Sequence, residues 1–200
     1  MDKKILWVGL GAMFLVTLAT VIVFFTSQNN RLRGSVIDPP MPAAEIALTD
    51  QNGQPFRLAD YRGKVVLLFF GYTYCPDVCP ATMAELRAAR AMLKPEDAAR
   101  VQVVFITVDP ARDTAASIQE YVSRFDPAFL GLSGTEAELS AGWQAYGVFR
   151  EIEQSDSVAG YLVAHTSRVY VVDVNGNLSL SFAFGTPPAD VANDLRILLK

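Results

Sequence analysis

Residues 64–70 read KVVLLFF, and residues 101–108 read VQVVFITV. Both are nearly continuous apolar runs of strand length, a pattern that is typical of β-strands buried on both faces. Helical spacing follows the first run over residues 80–93, and a second helix is predicted over residues 114–125. Because strands alternate with helices along this stretch, the sequence predicts a parallel sheet core.

Two hairpins and two more helices are predicted around this core. Each hairpin contains an Asn-Gly turn, and the last helix begins just after two prolines. The hairpins lie at residues 45–58 and 167–184, and the helices lie at residues 136–146 and 189–199. This order of elements indicates an α/β, thioredoxin-like fold with an insertion at about residues 110–165. Trp143, Tyr146 and Phe149 within the insertion are predicted to pack in the core.

The N-terminal residues differ in composition from the rest of the chain. Residues 5–25 contain no charged side chain, and about 20 apolar residues are enough for a helix to span a bilayer. The run is longer than the apolar part of a cleaved signal peptide, and no Ala-x-Ala site follows it. We therefore predict a retained membrane anchor over residues 1–30, an extended proline-rich spacer over 31–43 and one folded domain over 44–200.

The charge of the chain restricts the kind of partner that it binds. The formal net charge is −4, and it falls to −7 when Asp2, Lys3, Lys4, Arg31 and Arg33, which flank the apolar run, are left out. An acidic domain is unsuited to nucleic acid, because contacts to phosphates need clustered lysine and arginine. The composition therefore excludes a nucleic-acid-binding function.

Residues 71–80 read GYTYCPDVCP and contain both cysteines of the chain. They follow the carboxyl end of the first central strand, where sites of open α/β sheets form, and they lead into a helix whose N-terminus favours thiolate. In a roughly helical segment, residues four apart share one face, so the sulfurs of Cys75 and Cys79 converge. Thiolates select soft ions such as Cu(I) or zinc. The motif therefore predicts a metal site.

A third ligand for this site is predicted at His165, the one histidine of the chain. In a thioredoxin-like arrangement the segment that contains His165 packs beside the cysteine turn, which is residues 71–80. Two thiolates and one imidazole form a three-coordinate site, whereas a structural zinc site usually has four ligands. The alternative is a histidine that only makes a structural hydrogen bond. Asp77 and Asp109 are predicted to lie around the ligands, with a helix cap and a turn residue as the alternatives.

Three segments together resemble one known family. The motif at residues 71–80, the stretch VDPARDT at residues 108–114 and His165-Thr166 resemble the Sco/SenC family of thioredoxin-fold copper chaperones, and the similarity extends over the whole chain. The resemblance implies that Cys75, Cys79 and His165 bind copper, as Cu(I) or Cu(II). One position departs from the family pattern, because Ala164 stands where an aspartate commonly precedes the metal histidine.

The same resemblance implies the partners and the location of the protein. Copper would pass to the copper-receiving subunit of cytochrome c oxidase, at its dinuclear copper centre, and other copper chaperones or thiol–disulfide proteins would also be partners. No Arg- and Ser-rich presequence precedes the apolar run, which favours a bacterial protein over a mitochondrial one. We expect a single-pass protein of the bacterial inner membrane, with its folded domain facing the periplasm.

A thiol–disulfide oxidoreductase is the alternative function. In that case Cys75 and Cys79 would cycle between a dithiol and a disulfide. The two functions are compatible, because a copper chaperone must meet its ion with reduced thiols. A peroxiredoxin-like peroxidase fits poorly, since it would use a single activated cysteine. The chain is therefore predicted as a metal-binding protein, with thiol–disulfide exchange as the one enzymatic activity left open.

Overall fold

The computed structural model describes Trp7, Gly11, residues 13–20, residues 31–155 and residues 160–200. Contacts divide the chain into two units, residues 1–32 and residues 33–200. In the first unit, Trp7, Gly11 and residues 13–20 are helical and exposed. The rest of the predicted anchor over residues 1–30 lies outside the described residues. Within the described part of the chain, no helix reaches the length and apolar character that a membrane span needs.

The described residues of the second unit form ten strands and five α-helices. The strands are β1 (Ser35–Pro42), β2 (Ala47–Asp50), β3 (Pro55–Arg57), β4 (Val65–Gly71), β5 (Val101–Thr107), β6 (Leu130–Ser133), β7 (Arg150–Gln154), β8 (Tyr161–His165), β9 (Val169–Val172) and β10 (Asn177–Phe182). The helices are α1 (Val78–Ala91), α2 (Pro95–Ala98), α3 (Ala115–Ser123), α4 (Glu136–Ala145) and α5 (Pro188–Leu198), and a short 3₁₀ helix covers Leu58–Tyr61.

Eight of the strands form one sheet in the order β1-β10-β9-β4-β5-β6-β2-β3. Strand β5 pairs in parallel with β4 and with β6, while the β9–β10 hairpin joins β4 in antiparallel orientation. Every residue of β4 is buried, as expected for a central strand covered on both faces. These features confirm the predicted α/β, thioredoxin-like order, and they bring the carboxyl ends of β4 and β5 to one edge.

Residues 35–42 differ from the extended spacer that the sequence analysis assigns to residues 31–43. They are extended, but they form β1 and pair in antiparallel orientation with β10. The register shifts between Val36 and Met41, around the prolines at positions 39 and 40. Prolines are compatible with the edge strand of a sheet, where one side needs no donors. The folded unit therefore begins near residue 33 rather than at residue 44.

The insertion at residues 110–165 contains three strands that the sequence analysis does not predict. Strand β6 extends the main sheet, and β7 and β8 form a separate two-stranded sheet. Trp143 and Tyr146 are buried as predicted, whereas the prediction for Phe149 is wrong, since 57% of this residue is exposed. Phe149 lies directly before β7, whose side chains are largely exposed, so no neighbouring layer covers it.

Candidate metal centre

The cysteine turn begins where β4 ends, at Gly71. A Cβ atom at this position would lie 2.9 Å from the Phe105 ring and 3.0 Å from the Cys79 sulfur. The first distance is shorter than Cβ contacts in proteins and the second is tighter than most of them, so a side chain here would displace the ring or the sulfur. The small residue at the end of the strand therefore allows the second cysteine to reach the sheet.

Asp113 holds the other side of this turn against the sheet. Its carboxylate is buried and accepts hydrogen bonds from the Thr73 backbone N–H, from Thr73 Oγ1 at 2.6 Å and from Thr107 Oγ1 at 2.7 Å. Burial raises the pKa of Asp113, while the bonds from Thr73 and Thr107 lower it in part. The carboxylate thus ties the cysteine turn to the end of β5 through one network.

The two cysteines occupy different environments. Cys75 is half-buried in the turn, and Cys79 is fully buried in the first turn of α1. Both are free thiols. The Cys79 backbone N–H donates to the Cys75 sulfur at 3.3 Å, as the exposed N–H groups of a helix N-terminus do for anions. The four-residue spacing therefore brings both sulfurs together, as the sequence predicts.

His165 is the last residue of β8, and its ring points to the sulfurs. Its Nε2 lies 3.3 Å from the Cys79 sulfur, and its Nδ1 lies 3.1 Å from the Thr166 carbonyl oxygen. Because a carbonyl oxygen only accepts, this contact favours the proton on Nδ1 and leaves the Nε2 lone pair toward the sulfur. The rings of Tyr72 and Phe69 pack edge-on against the imidazole, with centroids 5.7 and 6.4 Å away.

The three side chains together have the geometry of a metal site. One sulfur of each cysteine and a ring nitrogen of His165 all lie within 4.8 Å of one another. Bonds of about 2.0–2.3 Å, such as zinc makes to these atoms, would put three trigonal ligands about 3.5–4 Å apart. A shift of about 1 Å in the widest pair is therefore enough for all three to reach one ion. Two sulfurs and an imidazole suit copper better than a hard cation.

The protons of the two thiols are unevenly shared. The Cys79 thiol, together with the backbone N–H groups of Cys79 and Asp77, donates to the Cys75 sulfur and outweighs its partial burial, which lowers the pKa of Cys75 to about 4. Burial raises the pKa of Cys79, and the neighbouring Cys75 thiolate raises it further. At neutral pH the pair therefore holds one proton, on Cys79, and Cys75 is the nucleophile.

Alkylation should report this asymmetry directly. A thiol with a pKa of about 4 is already ionised at neutral pH, so we expect the iodoacetamide rate at Cys75 to be nearly flat between about pH 5 and about pH 8. A small free thiol in the same solution should react about tenfold faster per pH unit over most of this range, because its pKa is about 8.5. Fragment-ion mass spectrometry locates the label. A Cys75 rate that climbs in parallel with the free thiol would contradict the assignment.

A cleft of about 290 Å³ opens beside Cys75 and His165. Its walls come from the cysteine turn and from the β7–β8 sheet, namely Tyr72, Cys75, Pro76, Asp77, Val78, Glu153, Leu162, Val163, Ala164, His165 and Ser167. Tyr72 is a buried wall of this cleft, whereas Tyr74 is 51% exposed and packs against a guanidinium instead. Asp77 and Glu153 supply carboxylates at the cleft, and Ala164 supplies only a methyl group.

The two predicted neighbouring carboxylates have different surroundings. Asp77 is exposed on the cleft and precedes α1 without a capping bond from its side chain. Asp109 is fully buried, and its oxygens accept from Arg112 Nε at 2.5 Å and from the Tyr161 hydroxyl at 2.8 Å. Asp109 thus contacts the strand that carries His165. Arg112 is the ion-pair partner of Asp109.

Sequence reasoning did not single out Tyr161 and Glu153. Both lie on the β7–β8 sheet, and the sequence analysis does not predict these strands. The alternation of exposed and buried residues is short here, with Val163 the one buried residue among Tyr161–His165. The stretch YLVAH at residues 161–165 could have indicated β8, because its aromatic and branched residues are typical of a strand.

Comparison with known proteins identifies relatives of this chain. A family model described as SCO1/SenC matches residues 40–200. A relative from Rickettsia felis described as an SCO2-like protein is 30% identical over 193 residues, which cover 96% of this chain and 92% of the relative.

Two solved structures of copper-bound proteins share the fold. Bradyrhizobium japonicum ScoI with copper bound is 37% identical, with a TM-score of 0.72 over 79% of this chain and 99% of that chain. Yeast Sco1 with copper bound is 30% identical, with a TM-score of 0.69 over 78% of this chain and 87% of that chain. Since the family model covers most of the chain and these relatives are 30–37% identical to it, the protein belongs to the SCO1/SenC family.

Proposed function

We propose that this protein binds one copper ion through Cys75, Cys79 and His165 and delivers it to the dinuclear copper centre of cytochrome c oxidase. The observation that carries the proposal is the approach of the three ligand atoms to within 4.8 Å of one another. Two solved relatives are described with copper bound, and the donor set of this chain fits that ion. The recipient is proposed from the resemblance to the Sco/SenC family.

The surroundings of the ligands support transfer rather than storage. Three ligands leave a copper ion able to accept one more, and the cleft leads to Cys75 and His165 from the outside. A sulfur or imidazole of a partner that enters the cleft would bond to the ion before a bond to this chain breaks. Cys79 would be the last ligand to dissociate from the ion, because its sulfur is fully buried and no partner atom reaches it directly.

The location of the protein is part of the same proposal. The uncharged residues 5–25 are long enough for a bilayer helix, which supports a single-pass anchor in the bacterial inner membrane. The folded domain would then face the periplasm, beside the membrane-bound oxidase and its copper-receiving subunit. Protease protection of the C-terminal domain in intact spheroplasts would contradict this orientation.

X-ray absorption on the full chain, loaded with Cu(I) in detergent, tests the metal site. We expect one copper per chain with two sulfur neighbours and one nitrogen neighbour, because Cys75, Cys79 and His165 together offer that donor set. Mixing the loaded chain with the copper-free form of the receiving subunit should then move copper to the subunit. A spectrum dominated by oxygen neighbours, or copper that stays on the chain, would contradict the proposal.

Thiol–disulfide exchange is a second candidate function, and the unequal acidities of the two thiols favour it. The Cys75 thiolate would attack a partner disulfide, forming a mixed disulfide and releasing one partner thiolate. The Cys79 thiol would then lose its proton and attack the Cys75 sulfur, which releases the second partner thiol. The partner gains two electrons, and this chain is left with a Cys75–Cys79 disulfide. Such a step would prepare the cysteines of a copper recipient.

A further inference from the structure

The strand that carries His165 does not belong to the main sheet. Strand β8 pairs with β7 alone among the described strands, in register from Arg150–His165 to Gln154–Tyr161. Backbone hydrogen bonds of the eight-stranded sheet therefore do not fix the imidazole relative to the cysteine turn. The short link from His165 to β9 and the contacts between β8 and the rest of the domain set that position.

One group of these contacts lies at Tyr161, the other end of β8. Its hydroxyl donates to Asp109 Oδ1 at 2.8 Å, and its carbonyl oxygen accepts from Arg112 Nη1 at 2.9 Å. Arg112 Nε in turn donates to Asp109 Oδ2 at 2.5 Å. The guanidinium carbon lies 3.5 Å from the centre of the Tyr161 ring. Three side chains thus form a closed set of contacts that fastens β8 to the turn after β5.

The same guanidinium also faces the cysteine turn. Its carbon lies 5.7 Å from the ring centre of Tyr72 and 5.0 Å from that of Tyr74, within the reach of about 6 Å for a cation–π contact. Tyr72 packs edge-on against the ring of His165. Arg112 therefore touches both parts of the candidate site, the strand with the imidazole and the turn with the sulfurs.

We propose that Arg112 is a positioning residue that sets the distance between His165 and the two sulfurs by clamping Tyr161 of β8 onto Asp109. The inference rests on the proposed copper function. Arginine is suited to this task because its planar fork bonds a carboxylate and a carbonyl while its face stacks on a ring. The point charge of lysine would keep the attraction to Asp109 but lose the stacking and the second bond.

Two variants of the full chain test this role. Arg112→Lys keeps the charge, and Tyr161→Phe removes only the hydroxyl that donates to Asp109. In both we expect the NMR cross-peak between the rings of His165 and Tyr72 to weaken in the copper-free protein. Cu(I) affinity should fall about tenfold, at the lower end of the about 10–100-fold cost of losing a group that orients a metal ligand.

Arg90→Lys is the matched control, because Arg90 forms a partly buried ion pair with Asp126 at 2.7 Å, away from β8. It should lower the melting temperature but leave the cross-peak and the affinity unchanged.

If His165→Ala lowers the affinity while Arg112→Lys and Tyr161→Phe change neither readout, the positioning role is overturned and the ligand assignment stands. If His165→Ala leaves the affinity unchanged, the copper function fails, and the cross-peak alone then decides the role of Arg112. Should Arg112→Lys not fold, Tyr161→Phe gives the answer.

Discussion

Replacing either Cys75 or Cys79 with serine is expected to lower Cu(I) affinity by more than about 100-fold, because even groups that only orient a metal ligand cost about 10–100-fold when lost. A serine hydroxyl stays protonated and is a hard donor, whereas Cu(I) prefers a soft thiolate. With one sulfur and one imidazole left, the ion keeps two of its three ligands. Competition with a chromophoric Cu(I) chelator measures the affinity.

The two serine variants should differ in thiol chemistry although they agree in copper binding. Cys75→Ser removes the acidic thiol, so exchange with a model disulfide should stop. Cys79→Ser keeps that nucleophile but removes the group that resolves the intermediate, so a mixed disulfide should accumulate on Cys75 and be visible by mass spectrometry. Wild-type Cu(I) affinity in either variant would contradict a site built from two thiolates.

Thr82→Ser is the control for these variants. Thr82 is buried in α1, one turn after Cys79, and its hydroxyl donates to the Val78 carbonyl. The substitution removes a buried methyl group from the same helix but leaves both sulfurs in place, so copper affinity should not change. Cys79→Ser buries a hydroxyl, and a buried hydroxyl without a partner lowers the free energy of unfolding by about 1–3 kcal/mol. Thermal unfolding of all the variants therefore separates loss of the site from loss of the fold.

The cysteine pair was predictable because the residues that bring the two sulfurs together are local. The apolar strand, the glycine at its end, the two cysteines and the start of the helix all fall within residues 64–80. Strand burial, the four-residue spacing and the helix N-terminus are each encoded by neighbouring residues. Sequence analysis therefore predicts that the two sulfurs approach each other, and in the structure they do.

The position of His165 is a different kind of prediction, since 86 residues separate it from Cys79. Its strand belongs to a small separate sheet that the local pattern does not reveal, and it is the one histidine of the chain. The assignment of His165 as the third ligand depended on the shortage of other imidazoles and on the family resemblance. Arg112 shows the same limit: its ion pair with Asp109 is local, but its contact with Tyr161 bridges 49 residues, and such pairings are set by tertiary packing.

The segment over residues 31–43 shows how composition can mislead. Its prolines favour an extended chain, and both a spacer and an edge strand are extended. Only the pairing with β10 distinguishes them, and the partner strand lies at the far end of the sequence. The pattern thus predicts the backbone conformation of this stretch but not its place in the domain.

Replacing His165 with alanine is expected to lower Cu(I) affinity by about 10–100-fold, at least the cost of losing a group that supports a metal ligand. The loss should be smaller than for the serine variants, because both thiolates remain and they are the softer donors. X-ray absorption of the loaded variant should lose the nitrogen neighbour and keep two sulfurs. Exchange of Cys75 with a model disulfide should persist, since the pKa of Cys75 is lowered mainly by the Cys79 thiol.

Ile152→Ala is the matched control for this variant. Ile152 lies on β7 opposite Val163 of the same small sheet and is 45% exposed, so its truncation perturbs the hairpin without touching a donor atom. Copper affinity should stay at the wild-type level in Ile152→Ala and fall in His165→Ala. Equal affinities in His165→Ala and the wild-type chain would remove the imidazole from the site. The thiol pair would then be explained better by disulfide exchange, because two thiolates without a third donor hold an ion less firmly than three ligands do.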